Sequence, residues 1–295
     1  MRIGIIGGGA IGLFFSFELT KMGHDVTLYV RRKEQMLKLV KDGLSEKNHR
    51  APIFLRTKLI NELESHDILI ICTKQHDIQE IISSITHLPY TTNVLFIQNG
   101  MGHVEWFDYL QMPIITGVIE YGVLKHSDTC YELTGEGKVK LAPVTITKNS
   151  LIEMIKSFHN ESFKVEIEEN WFRMLAEKLI INTVINPVTA LFNVPNGAIV
   201  HNEYLLDISQ SLCMEACEVL ELPYTYMWER VQSIATKTSE NISSMAKDVQ
   251  LNRTTEIRGI TGYIVQKANE PVPYTDFIYR CILAKEKESE RRNEQ

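Results

Sequence analysis

The fold of this chain is decided by residues 2–12, which have the sequence Arg2-Ile3-Gly4-Ile5-Ile6-Gly7-Gly8-Gly9-Ala10-Ile11-Gly12. The first five residues are mostly apolar and have the length of a short buried strand. In the Gly-x-Gly-x-x-Gly spacing that follows, Gly7 allows a tight turn, Gly9 lets a pyrophosphate approach, and Gly12 permits close helix–strand packing. We therefore predict that the whole loop, rather than serving as a purely structural turn, binds dinucleotide phosphates through Gly7, Gly8, Gly9, Ala10, Ile11 and Gly12.

Strand and helix patterns alternate through the first half of the chain. Apolar spacing predicts a helix from Ala10 to Met22, ended by Gly23, and then a strand at Asp25–Val30. Further strands are predicted at Ile68–Cys72, Val94–Gln98 and Ile114–Val118. This alternation indicates a parallel, doubly wound sheet.

The pattern changes after Tyr121. Two short runs, Tyr131–Leu133 and Lys138–Leu141, flank a glycine-containing stretch and are predicted to form antiparallel strands around glycine turns. From Glu169 onward the sequence predicts helices. We therefore predict an α/β protein with an amino-terminal Rossmann-type doubly wound sheet in residues 1–168 and an all-α carboxyl-terminal domain in residues 169–295. The charged tail from Lys285 is predicted to be a solvated or frayed helix end.

The end of the second predicted strand indicates which dinucleotide is bound. NAD-binding proteins usually place Asp or Glu at this point to hold the ribose 2′-hydroxyl. Here the sequence is Val30-Arg31-Arg32, and a guanidinium suits a 2′-phosphate. We predict that the cofactor is NADPH and that Arg31 binds it. In the alternative, both arginines are ordinary surface charges.

Composition narrows the class of protein. The chain has 295 residues, 44% of them hydrophobic, and a net charge of −6, which argues against a nucleic-acid or anionic-membrane partner. No stretch is expected to reach the roughly 18 consecutive apolar residues of a membrane span. The five scattered cysteines predict reduced thiols, and no metal spacing is evident among the histidines. These features predict a cytoplasmic protein without a metal site.

A polar stripe runs along the most apolar segment of the second half. Lys178, Asn182 and Asn186 are spaced four residues apart, so they share one line on a helix, and apolar residues cover the remaining faces. Burial lowers the pKa of a lysine, which suits Lys178 to donate a proton in catalysis. The alternatives are a solvated structural lysine and asparagines that only satisfy backbone groups. Pro187 is predicted to bend or end the helix.

Several motifs, in this order, resemble the ketopantoate reductase (2-dehydropantoate 2-reductase) family over nearly the full length. Beyond the glycine loop and Arg31, they are Cys72-Thr73-Lys74-Gln75, Gln98-Asn99-Gly100-Met101-Gly102, Thr134-Gly135-Glu136-Gly137, Lys178-x3-Asn182-x3-Asn186-Pro187, and Ser243-Ser244-Met245-x2-Asp248-x4-Arg253-x-Thr255-Glu256-Ile257. The sequence departs from the family pattern at Arg258 and Thr261.

The resemblance implies NADPH-dependent reduction of 2-dehydropantoate to (R)-pantoate, on the route to pantothenate and coenzyme A, in a cleft between two domains. It also implies that Lys178 donates the proton and that Glu256 is the second catalytic residue. The implied substrate-binding residues are Asn99, Lys178, Asn182, Asn186, Asn196, Ser244 and Glu256, and Lys74 and Asn99 line the cofactor site. Asn99 also follows a predicted strand at the carboxyl edge of the sheet, where ligands bind in such folds.

Some of these roles have structural alternatives in the sequence. Ser244 is equally suited to cap the following helix, and Glu256 by itself is a surface charge or a partner for Arg253. Two other functions also stay open. One is reduction of a different short 2-keto acid on the same scaffold, and the other is a sensor that binds NADP without chemistry. The expected binding partner, apart from the cofactor, is a small 2-keto acid substrate. The sequence leaves open whether the chain forms a homodimer.

Overall fold

The computed structural model describes residues 1–48, 51–158 and 163–293. They form two compact units. The α/β unit comprises Met1–Gln98 and His103–Met174, and the helical unit comprises Asn99–Gly102 and Leu175–Gln295.

The α/β unit contains eleven strands and four α-helices among its described residues. The strands are β1 (Arg2–Ile6), β2 (Asp25–Val30), β3 (Ser45–Glu46), β4 (Arg56–Leu59), β5 (Ile68–Ile71), β6 (Asn93–Phe96), β7 (Ile114–Ile119), β8 (Gly122–Lys125), β9 (Cys130–Gly135), β10 (Val139–Pro143) and β11 (Val165–Ile167). The helices are α1 (Ala10–Lys21), α2 (Lys33–Asp42), α3 (Ile78–Ile85) and α4 (Lys148–Ile155). Short 3₁₀ helices lie at Ile60–Glu62, Gln75–Asp77 and Gly102–Tyr109.

Eight of these strands form one sheet, in the order β11-β10-β7-β6-β5-β1-β2-β4. The six strands from β7 to β4 are mutually parallel, and Ile3 of β1 pairs with Val26 on one side and Ile68 on the other. Both faces of such a sheet are covered, which is why its central strands are continuous apolar runs. Separate apolar clusters, one containing Phe14 and the other Phe107, complete the core. The predicted doubly wound α/β fold is confirmed.

The predicted pairing of the two strands around the glycine stretch is wrong. β9 pairs with β8 in a separate sheet of order β3-β9-β8, whereas β10 pairs antiparallel with β7 in the main sheet. Gly137 allows its backbone to approach that of Glu120 closely and is not part of a tight turn between β9 and β10. A side chain at Gly137 would place its Cβ 2.4 Å from the carbonyl carbon of Glu120. Alternation alone cannot tell which strand a segment joins.

The helical unit is built from seven helices in the described part of the chain, the first of which begins in the α/β unit. They are α5 (Trp171–Phe192), α6 (Ala198–His201), α7 (Glu203–Leu220), α8 (Tyr224–Lys237), α9 (Ser244–Gln250), α10 (Thr261–Lys267) and α11 (Pro273–Asn293). The predicted all-α composition of this half is confirmed. Residues 294–295 of the predicted solvated tail lie outside the described residues.

Helix α5 continues through Pro187 to Phe192, so the prediction that the helix could end there is wrong. A proline inside a helix costs about 3 kcal/mol. Each buried Val or Ile side chain contributes about 1.5–3 kcal/mol, and Val184, Ile185 and Val188 are all buried around the proline. Packing therefore outweighs the lost backbone bond.

By length and composition, α5 is also apolar enough to cross a membrane, contrary to the expectation that no stretch would qualify. Its most apolar window has a mean hydropathy of 1.2, and 72% of that window is buried inside the protein. Such burial is the behaviour of a core helix in a soluble protein.

Candidate functional site

The glycine loop joins β1 to α1 in a conformation that requires glycine at two points. Gly7 has φ +115° and donates its N–H to the carbonyl of Tyr29 at 2.9 Å. A side chain at Gly12 would place its Cβ 1.8 Å from the Gly7 carbonyl oxygen, whereas a Cβ at Gly9 would meet nothing within 4 Å. The open space over Gly9 adjoins the start of α1, where no side chain caps the helix. The loop therefore fits a phosphate group held by backbone N–H groups.

Two side chains that the sequence analysis missed anchor this loop through its backbone. The carbonyl of Gly8 accepts hydrogen bonds from Gln35 Nε2 and Lys125 Nζ, each at 2.8 Å. Gln35 lies on α2, and Lys125 is the last residue of β8. The sequence analysis predicted no strand at Gly122–Lys125, and a single lysine gives no sequence signal for such a contact.

Asp128 forms ion pairs with three basic side chains next to the glycine loop. Its carboxylate forms ion pairs with Arg32, with Lys38 at 3.2 Å and with Lys125 at 3.3 Å. Partial burial raises the pKa of Asp128, but the hydrogen bonds from Arg32, Lys38 and Lys125 outweigh this and hold the pKa at about 2. Arg32 is therefore committed to a protein carboxylate.

A pocket of about 220 Å³ opens beside the loop. Of the predicted cofactor residues, Gly7, Gly8, Gly9, Arg31 and Lys74 line this pocket, whereas Ala10, Ile11, Gly12 and Asn99 do not. The Arg31 guanidinium pairs with Asp77 at 3.1 Å, and its side chain is 72% exposed. The pocket thus combines a phosphate-binding loop with an exposed cation at the end of β2, which fits a dinucleotide that carries a 2′-phosphate.

The polar stripe of the helical unit lies on α5, as predicted. Lys178 and Asn182 are half-buried and Asn186 is buried, while the residues between them are almost all buried. Lys178 is thus less enclosed than the sequence suggested. A line of one ammonium and two amides in apolar surroundings provides donors for a polar ligand.

Asn99 and Glu256, far apart in sequence, are brought together. Asn99 Nδ2 donates to Glu256 Oε2 at 2.9 Å. The Met101 N–H donates to the carbonyl of Gly259 at 3.0 Å. Gly100, at φ +81°, would place a Cβ 2.0 Å from the same oxygen, so glycine is required there. This backbone contact packs Asn99–Gly102 with the helical unit.

Asn196 is buried in the loop before α6. Its Nδ2 donates to Thr238 Oγ1 at 3.0 Å, and its N–H donates to the carbonyl of Asn241 at 2.9 Å. Its Oδ1 is buried and has no partner among the described atoms. A buried acceptor of this kind costs free energy unless a ligand or water satisfies it.

Ser244 is exposed in the first turn of α9. The cap of that helix is Ser243, whose Oγ accepts from the Ala246 N–H at 3.1 Å and bonds Thr189 Oγ1 at 2.7 Å. The helix cap that the sequence allowed for Ser244 is therefore provided by Ser243, and Ser244 itself is exposed.

Glu286 was also missed, because the tail was predicted to be solvated. It is only 8% exposed. It accepts from the Thr255 N–H, the Thr255 hydroxyl and the Arg258 guanidinium, each at 2.7 Å. Arg258, one of the two residues at which the sequence departs from the family pattern, thus forms an ion pair with Glu286. The other, Thr261, is buried, and its hydroxyl has no partner in the described part of the chain.

Two models of known protein families match this chain, one in each half. The family described as "Ketopantoate reductase PanE/ApbA" matches residues 3–145, and "Ketopantoate reductase PanE/ApbA C terminal" matches residues 170–286. The 2-dehydropantoate 2-reductase of Bacillus subtilis (strain 168) is 34% identical over 303 residues, covering 99% of both chains.

Solved structures give the same picture. The probable 2-dehydropantoate 2-reductase panE of Bacillus subtilis is 33% identical, with a TM-score of 0.88 over 97% of this chain and 100% of that chain. D-mandelate dehydrogenase with NADH and anilino(oxo)acetate has a TM-score of 0.91 at 23% identity, over 98% of this chain and 100% of that chain. A dimeric ketopantoate reductase from Staphylococcus aureus has a TM-score of 0.81 at 20% identity, over 98% of this chain and 100% of that chain. At such identities the last two show the fold alone.

The doubly wound sheet, the glycine loop and the pocket beside it are those of a dinucleotide-binding protein, and the matching relatives are oxidoreductases. The two family matches together cover most of the sequence. The chain belongs to the ketopantoate reductase family, which confirms the resemblance that its motifs predicted.

Proposed function

We propose that this protein reduces 2-dehydropantoate to (R)-pantoate with NADPH, in the biosynthesis of pantothenate and coenzyme A. The observation that carries the proposal is the 34% identity to a 2-dehydropantoate 2-reductase over 99% of both chains. The geometry agrees with it, because a dinucleotide pocket and a separate set of polar donors are both present. We take residues 1–168 as the NADP-binding domain and residues 169–295 as the substrate domain.

The cofactor is assigned to the α/β unit. The loop of Gly7, Gly8, Gly9, Ala10, Ile11 and Gly12 would hold the pyrophosphate. Arg31 would bind the 2′-phosphate by exchanging its exposed ion pair with Asp77, since exposed pairs contribute little stability. Lys74 of the same pocket would add a further cation, and Asn99, which belongs to the helical unit, stays a predicted cofactor residue. When bound, NADPH supplies the hydride that reduces the ketone carbon.

The proton comes from the protein. Reducing a ketone to an alcohol adds one hydride to carbon and one proton to oxygen, and Lys178 Nζ is the proposed donor of that proton. Its ammonium would also stabilise the negative charge that develops on the carbonyl oxygen. The buried apolar residues around Lys178 on α5 lower the local dielectric constant, which would strengthen both effects.

The remaining polar groups would orient the substrate, which carries a carboxylate beside its ketone and a hydroxyl at its other end. Asn182 and Asn186 continue the line of donors from Lys178. Glu256, held by Asn99 at 2.9 Å, would accept from the substrate hydroxyl. The exposed hydroxyl of Ser244 suits the carboxylate, and the buried Oδ1 of Asn196 offers a further acceptor.

We further propose that the protein is a cytoplasmic homodimer. The Staphylococcus aureus ketopantoate reductase is described as dimeric. The five cysteines of this chain are all free thiols, as expected in a reducing compartment. Light scattering on the purified protein should give twice the mass of the chain, and a monomeric mass would refute the association.

The proposed reaction is tested by following NADPH absorbance with ketopantoate and a panel of short 2-keto acids. Ketopantoate is expected to give the highest kcat/KM. Faster oxidation with another acid would instead support a related reductase on this scaffold. Absence of turnover with every acid, in a protein that still binds NADPH, would support a sensor.

A further inference from the structure

The carboxylate of Glu286 on α11 is buried and accepts three hydrogen bonds. Oε1 accepts from both the N–H and the hydroxyl of Thr255 at 2.7 Å, and Oε2 accepts from Arg258 NH1 at 2.7 Å. The Glu286 side chain is 6% exposed, whereas that of Arg258 is 55% exposed. A buried carboxylate is unfavourable unless it is paired and hydrogen-bonded, so these contacts are strongly coupled.

The partners of Glu286 flank Glu256 in sequence. Thr255 precedes it, and Arg258 follows two residues later. Between them, the Glu256 carbonyl accepts the N–H groups of Gly259 and Ile260, both at 3.1 Å. The backbone around Glu256 is thus fixed on both sides, while the Glu256 side chain accepts from Asn99.

We propose that Glu286 is a positioning residue, which holds the segment from Thr255 to Arg258 so that the Glu256 carboxylate meets the substrate hydroxyl. This inference rests on the proposed function. It assigns a role to Arg258, which neutralises Glu286 from the solvent side. Small displacements of a positioned group weaken productive binding strongly, so loosening this segment should affect the keto acid and leave NADPH binding intact.

Glu215 supplies a matched control. It is also 8% exposed, and it accepts from the N–H and hydroxyl of Thr275 at 2.8 and 2.6 Å and from the Tyr274 N–H at 3.0 Å. Both glutamates therefore bind one threonine in the same way, Glu215 through Thr275 in the first turn of α11 and Glu286 from the second half of that helix. Glu215 holds the amino end of that helix, whereas Glu286 holds the Glu256 segment.

The test compares Glu286→Gln with Glu215→Gln. In Glu286→Gln the amide oxygen still accepts from Thr255, but the ion pair with Arg258 is lost. We expect kcat/KM for ketopantoate to fall about tenfold or more, as for loss of a charge-assisted hydrogen bond. The NADPH dissociation constant should stay within about twofold by fluorescence titration. Glu215→Gln should lower the unfolding midpoint while kcat/KM of the folded fraction stays near wild type.

A double-mutant cycle distinguishes an effect of Glu286 on the position of Glu256 from a general effect on the folded structure. If Glu286 acts through Glu256, adding Glu286→Gln to Glu256→Gln should cost little further activity. Two additional variants cover the case in which Glu286→Gln does not fold. Arg258→Gln changes an exposed side chain and should lower kcat/KM in the same direction. Thr255→Ser keeps both donors and should resemble wild type, whereas Thr255→Val should not.

The proposal is overturned if Glu286→Gln and Arg258→Gln alter stability alone, or if the effects of Glu286→Gln and Glu256→Gln multiply independently. All ratios are taken with whichever keto acid the wild type reduces fastest. Failure of the wild type with ketopantoate would therefore refute the proposed substrate, while the ratios between variants still decide the role of Glu286.

Discussion

Arg31 stands where β2 ends, and its guanidinium is shared with Asp77 at 3.1 Å in an exposed ion pair. Such a pair exchanges readily for a phosphate group. Arg32, the next residue, is instead held by Asp128 together with two lysines. The sequence showed two adjacent arginines, and the structure distinguishes them by their partners.

We predict that Arg31→Asp weakens NADPH about tenfold to a hundredfold, because charge-assisted bonds to phosphate are replaced by repulsion. NADH should change far less, since it carries no 2′-phosphate. Fluorescence titration of both cofactors measures the difference. Lys33→Asp, an exposed change two residues away, is the charge-matched control and should leave the cofactor preference unaltered. Equal losses for both cofactors in Arg31→Asp would refute the assignment.

Lys178→Ala is predicted to lower kcat by about 10²–10⁴-fold, the range for removal of a general acid, while the NADPH dissociation constant stays near wild type. Stopped-flow or steady-state NADPH oxidation measures the first quantity and fluorescence the second. Lys247→Ala removes an exposed lysine on α9 and should keep normal turnover. Near-normal turnover in Lys178→Ala would remove the residue from the proposed mechanism.

At the scale of elements, β8 and α2 act on the glycine loop from outside it. Lys125 Nζ and Gln35 Nε2 both hold the carbonyl of Gly8. The sequence predicted the loop, the strand before it and the helix after it, because their glycine spacing and apolar periodicity are local properties. The sequence did not predict the three-stranded sheet that contains Lys125, because pairing between strands that are distant in sequence leaves no periodic signal.

Lys125→Met is predicted to weaken NADPH and NADH by similar factors of about three- to tenfold, as for loss of one hydrogen bond of about 1 kcal/mol. This equal effect would contrast with the selective loss in Arg31→Asp. Lys47→Met, which removes an ion pair with Glu132 elsewhere on the same three-stranded sheet, is the control. A selective loss of NADPH in Lys125→Met would contradict a role through the loop backbone.

Asp128 predicts a pH dependence of stability. Its pKa is held at about 2, below its ordinary value, so its ionised form stabilises the fold above about pH 4 and that contribution disappears as pH falls towards 2. Relative to wild type, Asp128→Asn should lower the free energy of unfolding by on the order of 1–2 kcal/mol at pH 7. Urea unfolding should show this difference shrinking below pH 4. A difference that is constant with pH would exclude the ionic origin.

At the scale of the whole molecule, the sequence predicted the α/β class, the helical second half and the family. Each depends on patterns that repeat over many residues or on motifs that occur in order. The candidate site was visible in part. Lys178 and the two asparagines were visible as a helical stripe, whereas Glu286, 30 residues after Glu256, has no sequence feature that distinguishes it from the charged residues around it.

Binding of NADPH should stabilise the folded chain. At a concentration 100 times its dissociation constant, the ligand contributes about 2.7 kcal/mol, which for a chain of this size raises the unfolding temperature by several degrees. Differential scanning fluorimetry measures the shift. At the same NADPH concentration, Arg31→Asp should lose at least about half of the shift, while an NADH-induced shift persists. An unchanged NADPH shift in that variant would place the 2′-phosphate elsewhere.

The attachment of Gly8 through its carbonyl oxygen has a practical consequence for engineering. No substitution at position 8 deletes that oxygen, so part of the placement of the loop depends on positions 35 and 125, outside the recognised motif. Libraries that seek an NADH-preferring catalyst should randomise position 31 and its neighbours while leaving Gln35 and Lys125 untouched. Transplanting the six-residue motif alone into another scaffold would leave these two anchors behind.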